Sequence, residues 1–173
     1  TDFECPYCKR FHDTPPAVVG ASNGSINWAL KHLPLSFHGE IAVQEAMLTE
    51  CVGDISGAPA FFAAAELIFK NTRTNGGGVS DLGQIATEVG VHAPTALECV
   101  ESNKYRAKVQ AQIREAGELG ISGTPASVVV DNVSGRKLVV SGAVPTSELI
   151  TRIKQLATEE LEAQAAQSGA ATD

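Results

Sequence analysis

The apolar positions change period twice along the chain. Thr1 to Phe3 is long enough only for the end of a strand. Pro6 to about Asp13 predicts a helix, because a proline is best tolerated in the first helical turn. Pro15-Pro16 predicts a kink or stop there, with one more turn through Val19 before Gly20 and Asn23-Gly24 break it. Ser25 to Leu30 alternates around Ile26 and Trp28 and predicts a short strand.

A long helical block follows. Glu40 to Val52 carries Ile41, Ala42, Met47, Leu48, Cys51 and Val52, and Ala60 to Phe69 is a second apolar stretch. Asn75 to Gly78 reads as a loop, and Ser80 as the N-cap of a helix over Asp81 to Val89. Pro94 to Ser102 and Lys104 to Leu119 predict two more helices, with Glu98, Glu101, Lys108, Arg114 and Glu118 on their polar faces. The period then becomes two. Ala126 to Val130 and Lys137 to Val140 read as strands, joined by a hairpin turn at 131–135. A last helix runs from Pro145 to about Ala163, with Leu149, Ile150, Ile153, Leu156 and Leu161 on its apolar face. The Ala/Ser/Gly-rich end, 164–173, is expected to be a flexible tail.

The order is strand end, helix, strand, helical block, hairpin, helix. Without the block the remainder is a β-α-β unit followed by β-β-α. This predicts an α/β fold, a mixed sheet flanked by helices, formed by 1–34 and 119–163 and interrupted by an all-helical insertion at 35–118. The 173 residues are 43% hydrophobic and 19% charged, which is globular and enough for one domain with an insertion. A net charge of −7 argues against nucleic acid and anionic membrane surfaces as partners. No apolar run approaches membrane-spanning length. The chain begins with Thr1 and shows no signal peptide, so it reads as processed or truncated. Four cysteines permit two disulfides, which fits an oxidising compartment.

The candidate chemistry is concentrated in Cys5-Pro6-Tyr7-Cys8. The pair falls at a predicted strand-to-helix junction. A thiolate is the nucleophile of thiol–disulfide exchange, and a helix N-terminus stabilises it with unsatisfied N–H groups and a partial positive charge. Cys5, before the first turn, is the expected exposed attacker. Cys8, one turn in, is the expected resolving thiol. Pro6 stiffens the turn, Tyr7 offers an aromatic surface, and Lys9 and Arg10 add positive charge nearby. Two other readings stay open for the pair. With His12 it could form part of a zinc site, although no second pair of ligands at zinc spacing follows. It could also be a structural disulfide, although so short a loop gains little entropy.

A second motif narrows the choice. Gly123-Thr124-Pro125 stands immediately before a predicted strand, where a proline cannot donate to a ladder and belongs at the strand's start. A cis bond at Pro125 would leave the Thr124 backbone free to pair with an extended substrate.

Taken together, these residues resemble the DsbA-like thiol:disulfide oxidoreductases, thioredoxin-fold proteins with a helical insertion. The matching stretches are Asp2 to Phe11, His32-Leu33-Pro34-Leu35 with His38, and Leu119 to Pro125. The resemblance runs from residue 1 to about 157. It implies Cys5 as nucleophile, Cys8 as its partner, Pro125 as a cis-proline facing them, and Thr124 as a residue tuning substrate release. It implies an extracytoplasmic, bacterial periplasmic location and clients that are exported protein thiols or disulfides. A DsbB-like membrane oxidase would be the recycling partner, with no metal, no organic cofactor and no membrane insertion. The alternatives are an isomerase or reductase of the same fold, and a non-catalytic or zinc-holding module.

Two departures accompany the resemblance. The family places a central strand before its dithiol, where this chain has only Thr1 to Phe3. Native residues are therefore expected to precede Thr1, and the chain as it stands is expected to fold poorly or to borrow a strand. Ala126-Ser127 also replaces bulkier residues after Pro125, implying a shallower groove. Elsewhere, Cys51 and Cys99 lie on apolar helix faces, either as buried thiols or as a structural disulfide. His12 is expected to be an exposed helical residue, the alternative being a role in tuning the thiols. His38 is expected to order a loop. Glu4 is expected at a strand end on the surface, the alternative beside Cys5 being to raise the thiol pKa or relay protons. Trp28 is expected to be core.

Overall fold

The structure, a computed structural model, describes residues 1–169, with side chains to Thr158. A short helix α1, Pro6–Phe11, follows the first five residues, and α2, Thr14–Gly20, follows directly. Pro15 and Pro16 therefore open α2 instead of ending α1. Their missing N–H groups fall in a first turn, where none is needed. A 3₁₀ turn at Ser36–His38 leads into α3, Gly39–Ser56, which packs against α4, Ala58–Asn71. The block continues with α5 (Leu82–Glu88), α6 (Ala93–Glu101) and α7 (Arg106–Glu118). Asp81, not Ser80, caps α5. Its carboxylate accepts from the N–H groups of Gly83, at 2.7 Å, and Gln84, at 3.2 Å.

Strands β1, Ala126–Val130, and β2, Lys137–Ser141, form an antiparallel hairpin in which Val128 pairs with Val139. Helix α8, Thr146–Gly169, packs against β2 and α2. It thus extends through 164–169 of the expected tail, and 170–173 lie outside the described residues. No helix among the described residues is long and apolar enough to cross a membrane.

Among the described residues, the sheet expected from the sequence consists of the β1–β2 pair. Ser25 to Leu30 forms no strand. A strand needs a neighbouring backbone to complete its ladder, and the backbone this segment's end meets is that of Thr1. The Thr1 ammonium donates to Lys31 O at 2.7 Å, and Leu33 N donates to Thr1 O at 2.6 Å. Two bonds from one residue to positions flanking a third are a single rung of parallel pairing.

The described residues form two apolar clusters. Phe11, Val18, Val140 and Leu149 form one, joining α1, α2, β2 and α8. The larger runs through α3 to α7 and includes Met47, Leu48, Ile68 and Val109. Phe3, Cys5 and Cys8 belong to this second cluster, so the dithiol is seated in the core of the helical block.

Candidate active site

Cys5 is the N-cap of α1 and Pro6 occupies its first turn, so the Cys5 sulfur stands at the helix N-terminus, where the backbone N–H groups of Tyr7 and Cys8 favour its thiolate. Tyr7 is exposed, but Cys5 is not the exposed thiol expected: it is 4% exposed and Cys8 1%, because both sulfurs pack into the core of the helical block. Both are thiols. Their environments push them apart. Hydrogen bonding by the Cys8 thiol is the largest cause that lowers the Cys5 thiol, to about 5, against the opposition of burial. Contact with Thr124 and the Tyr7 and Cys8 N–H groups also act to lower it. Cys8 is raised above its ordinary value, first because its proton serves Cys5 and then by burial.

The loop before β1 supplies the opposite wall. The Cys5 thiol donates to Thr124 O at 3.5 Å, the Thr124–Pro125 bond is cis, and Pro125 O accepts from Gly142 N at 2.8 Å. Cys5, Cys8, Thr124 and Pro125 therefore stand together although 119 residues separate the first from the third. A cavity of about 350 Å³ between the end of α1, the start of α2 and the 143–145 turn is lined by Arg10, Phe11, Thr14, Ala143, Val144 and Pro145.

The positive charge expected from Lys9 and Arg10 is directed elsewhere. Lys9 Nζ donates to Lys70 O at 3.2 Å and Thr72 O at 3.0 Å, tying α1 to the end of α4. The Arg10 guanidinium lies 4.7 Å from the centre of the Tyr7 ring. The thiolate is held by hydrogen bonds, not by these cations. His12 is not the exposed residue expected. Its ring packs on Phe69 at 4.6 Å and faces Trp28 at 6.2 Å, and burial lowers its pKa. No group of three or more His, Cys, Asp or Glu able to hold a metal ion occurs among the described residues. Cys51 and Cys99 are joined by a disulfide that links α3 to α6.

A set of buried acids behind the dithiol went unanticipated, Glu4 most clearly. It is fully buried and not on the surface. One carboxylate oxygen accepts from the Thr72 hydroxyl, the other from Gly78 N at 2.9 Å. Gly78 has a φ of +62°, and a Cβ there would stand 2.6 Å from Ile41 Cγ1, so only glycine fits this approach. Asp2 is equally buried. Its carboxylate accepts from Glu4 N and Leu35 N, each at 2.8 Å, and lies 2.6 Å from His38 Nδ1, while its own N–H points at Cys8 Sγ, 3.5 Å away. The third acid, Glu45 on α3, accepts from Val79 N at 3.0 Å. The one signal available in the sequence was an acid at 45 between Ala42 and Ala46, on a stripe that is otherwise buried.

The sequence matches a family model described as thioredoxin over residues 1–139. The crystal structure of Pseudomonas aeruginosa DsbA2 is 31% identical, covers 90% of this chain and 85% of that one, and superposes with a TM-score of 0.80. The chain belongs to the DsbA-like proteins of the thioredoxin superfamily. Its fold is that of the DsbA-like thiol:disulfide oxidoreductases, a thioredoxin-like fold with a helical insertion. Oxidised BdbD from Bacillus subtilis shares this DsbA-like fold at 19% identity, covering 89% of this chain and 82% of that one, with a TM-score of 0.71. A thioredoxin-like oxidoreductase from Silicibacter pomeroyi does so at 21% identity, covering 91% and 83%, also at 0.71. Among curated proteins there is no significant sequence match.

Proposed function

We propose that this DsbA-like chain donates disulfides to exported proteins through Cys5 and Cys8. The observation that carries the reading is the stabilised Cys5 thiolate. Whatever stabilises the reduced form makes the disulfide a stronger oxidant. In the forward reaction a client thiolate attacks the Cys5 sulfur of the Cys5–Cys8 disulfide. The S–S bond breaks, and Cys8 departs with the electron pair. Because Cys8 is held above the ordinary range, it takes up a proton and stops competing for Cys5. A second client thiolate then attacks the client sulfur of the mixed disulfide, and Cys5 leaves as a stabilised thiolate. The client is oxidised by two electrons and the Cys5–Cys8 pair reduced by two. The Thr124 backbone, beside the cis bond, is the place for an extended client to pair. A DsbB-like membrane oxidase would restore the disulfide. The Cys51–Cys99 bridge supports an oxidising, extracytoplasmic location, periplasmic in a bacterium.

The test is the reduction potential of Cys5–Cys8 against glutathione, read by mass after alkylation. A value near the about −120 mV of strong oxidants is expected. One near the roughly −270 mV of thioredoxin would overturn the donor role and favour a reductase or isomerase. The same titration checks the thiolate. The potential should fall by about 59 mV per pH unit below pH 5 and by about half that above it, where only one proton accompanies the two electrons. A single slope through pH 5 would remove the basis of the reading.

A further inference from the structure

Glu45 Oε2 is fully buried and has no hydrogen-bond partner among the described residues, an arrangement that costs free energy if the carboxyl is ionised. Glu4 is also fully buried, and the two carboxylates take their backbone donors from consecutive residues, Gly78 N at 2.9 Å for Glu4 and Val79 N at 3.0 Å for Glu45. One proton resolves both problems. On Glu45 Oε2 it gives the orphaned oxygen a donor and removes one of two like charges.

We propose that Glu45 and Glu4 hold a single proton between them, and that this proton clasps the segment carrying Cys5 to the helical insertion, making Glu45 a positioning residue for the dithiol. The clasp has three parts. Residues 2–5 enter from one side, with Glu4 O accepting from Asn75 N at 2.7 Å. The 72–79 loop wraps the pair, giving the Thr72 hydroxyl and Gly78 N to Glu4 and Val79 N to Glu45. Helix α3 brings Glu45 itself. The charged groups around it are few. Glu4 and Asp2 face it from the first segment, and both raise its pKa. His38, from the 3₁₀ turn, is engaged by Asp2. Arg73, on the loop, turns its guanidinium to Gly77 O. No cation among these reaches Glu45 to replace the proton. Burial is the largest cause of its shift, and the carboxyl is raised to about 8.

The sign follows. An acid whose folded-state value is raised contributes stability that is present below its unfolded value, near 4.5, and is lost as pH rises to about 8. Within that window folding takes up one proton, and the folding constant falls by up to about tenfold per pH unit. His12 and His32, both lowered by burial, act in the opposite sense below pH 6.5. The quantity to read is therefore the difference between wild type and Glu45→Gln. Glutamine keeps an oxygen for Val79 N and replaces the shared proton with an N–H. Glu45→Gln should match wild type at pH 4.5 and be more stable at pH 8. Infrared spectroscopy at pH 7 should show a protonated carboxyl band in wild type that either Glu45→Gln or Glu4→Gln removes.

Positioning is tested by exchange rate. Glu45→Ala should slow it several-fold, and Glu45→Gln should restore it. A missing carboxyl band in wild type, or parallel pH–stability curves for wild type and Glu45→Gln, would overturn the shared proton. Equal rates for Glu45→Ala and wild type would overturn the positioning role. Only the rate rests on the proposed function. If the protein exchanges no disulfides, the band and the stability difference still decide whether the proton is shared.

Discussion

Replacing Cys5 with Ala is expected to reduce thiol–disulfide exchange to the uncatalysed rate, roughly two orders of magnitude or more. A thiol titrating at about 5 is about 99% thiolate at pH 7, whereas an ordinary cysteine near 8.5 is about 3%. Cys8 is no substitute. It is 1% exposed and held above the ordinary value. The Tyr7 and Cys8 N–H groups would still point to position 5, but no sulfur would be there. The companion Cys8→Ala variant separates attack from resolution. Its Cys5 thiolate should still attack a disulfide-bonded client, releasing one client sulfur as a thiolate and forming a mixed disulfide with the other. The adduct should accumulate because no second thiol within the protein displaces the client. Its Cys5 should also titrate higher than in wild type, since the largest cause of the shift, the Cys8 S–H bond, is gone. Absorbance of the thiolate against pH measures this directly. Exchange at wild-type rates by Cys5→Ala would place the chemistry elsewhere in the molecule.

What the sequence discloses here depends on how local the cause is. The helix after Cys5 is legible because Pro6 and the apolar spacing of Cys8 and Phe11 are local facts. The boundaries of the insertion helices follow apolar period, and come within a few residues of those observed. Three readings failed where a partner decides. Ser25 to Leu30 has the alternation of a strand, yet a ladder needs a second backbone, and a single rung at Thr1 is what it finds. Ser80 and Asp81 are both good caps. Only the backbone, with Asp81 at φ −154° and ψ 112°, selects the second. Lys9 and Arg10 look like a positive field for the thiolate, but long side chains go where acceptors are, here the carbonyls ending α4 and the Tyr7 ring.

The acids show the same limit more sharply. A carboxylate next to Cys5 in sequence reads as solvent-facing because an unpaired buried charge is costly. Its burial is made possible by Thr72 and Gly78, about 70 residues away in sequence, and by Glu45 on α3. Their pairing becomes visible only once the 72–79 loop is folded over the first five residues. The candidate active site is thus a junction. Its sulfurs lie in the core of the helical block, while its cis bond and Thr124 carbonyl come from the turn that enters β1.

That dependence on the helical block sets the second large effect, loss of the Cys51–Cys99 disulfide. The bridge closes a loop across a sequence separation of 48 residues and ties α3, which carries Glu45, to α6. In the chain-entropy account, releasing a loop of that length from the unfolded state costs about 4 kcal/mol of stability. Cys51 is fully buried, so shortening it to Ala also removes packing. The Cys51→Ala/Cys99→Ala double variant should therefore unfold at distinctly lower urea and melt roughly 10 °C lower. The variant isolates the bridge better than added reductant, which would open Cys5–Cys8 as well. The dithiol's own anchors, the Tyr7 and Cys8 amides and Thr124 O, do not involve the bridge. Exchange activity per folded molecule should then persist at temperatures well below the new midpoint. A loss of stability below about 1 kcal/mol would mean that the α3–α6 packing holds the block without the bond. A collapse of exchange in molecules still folded would mean that the bridge positions the dithiol as well as stabilising the core beneath it.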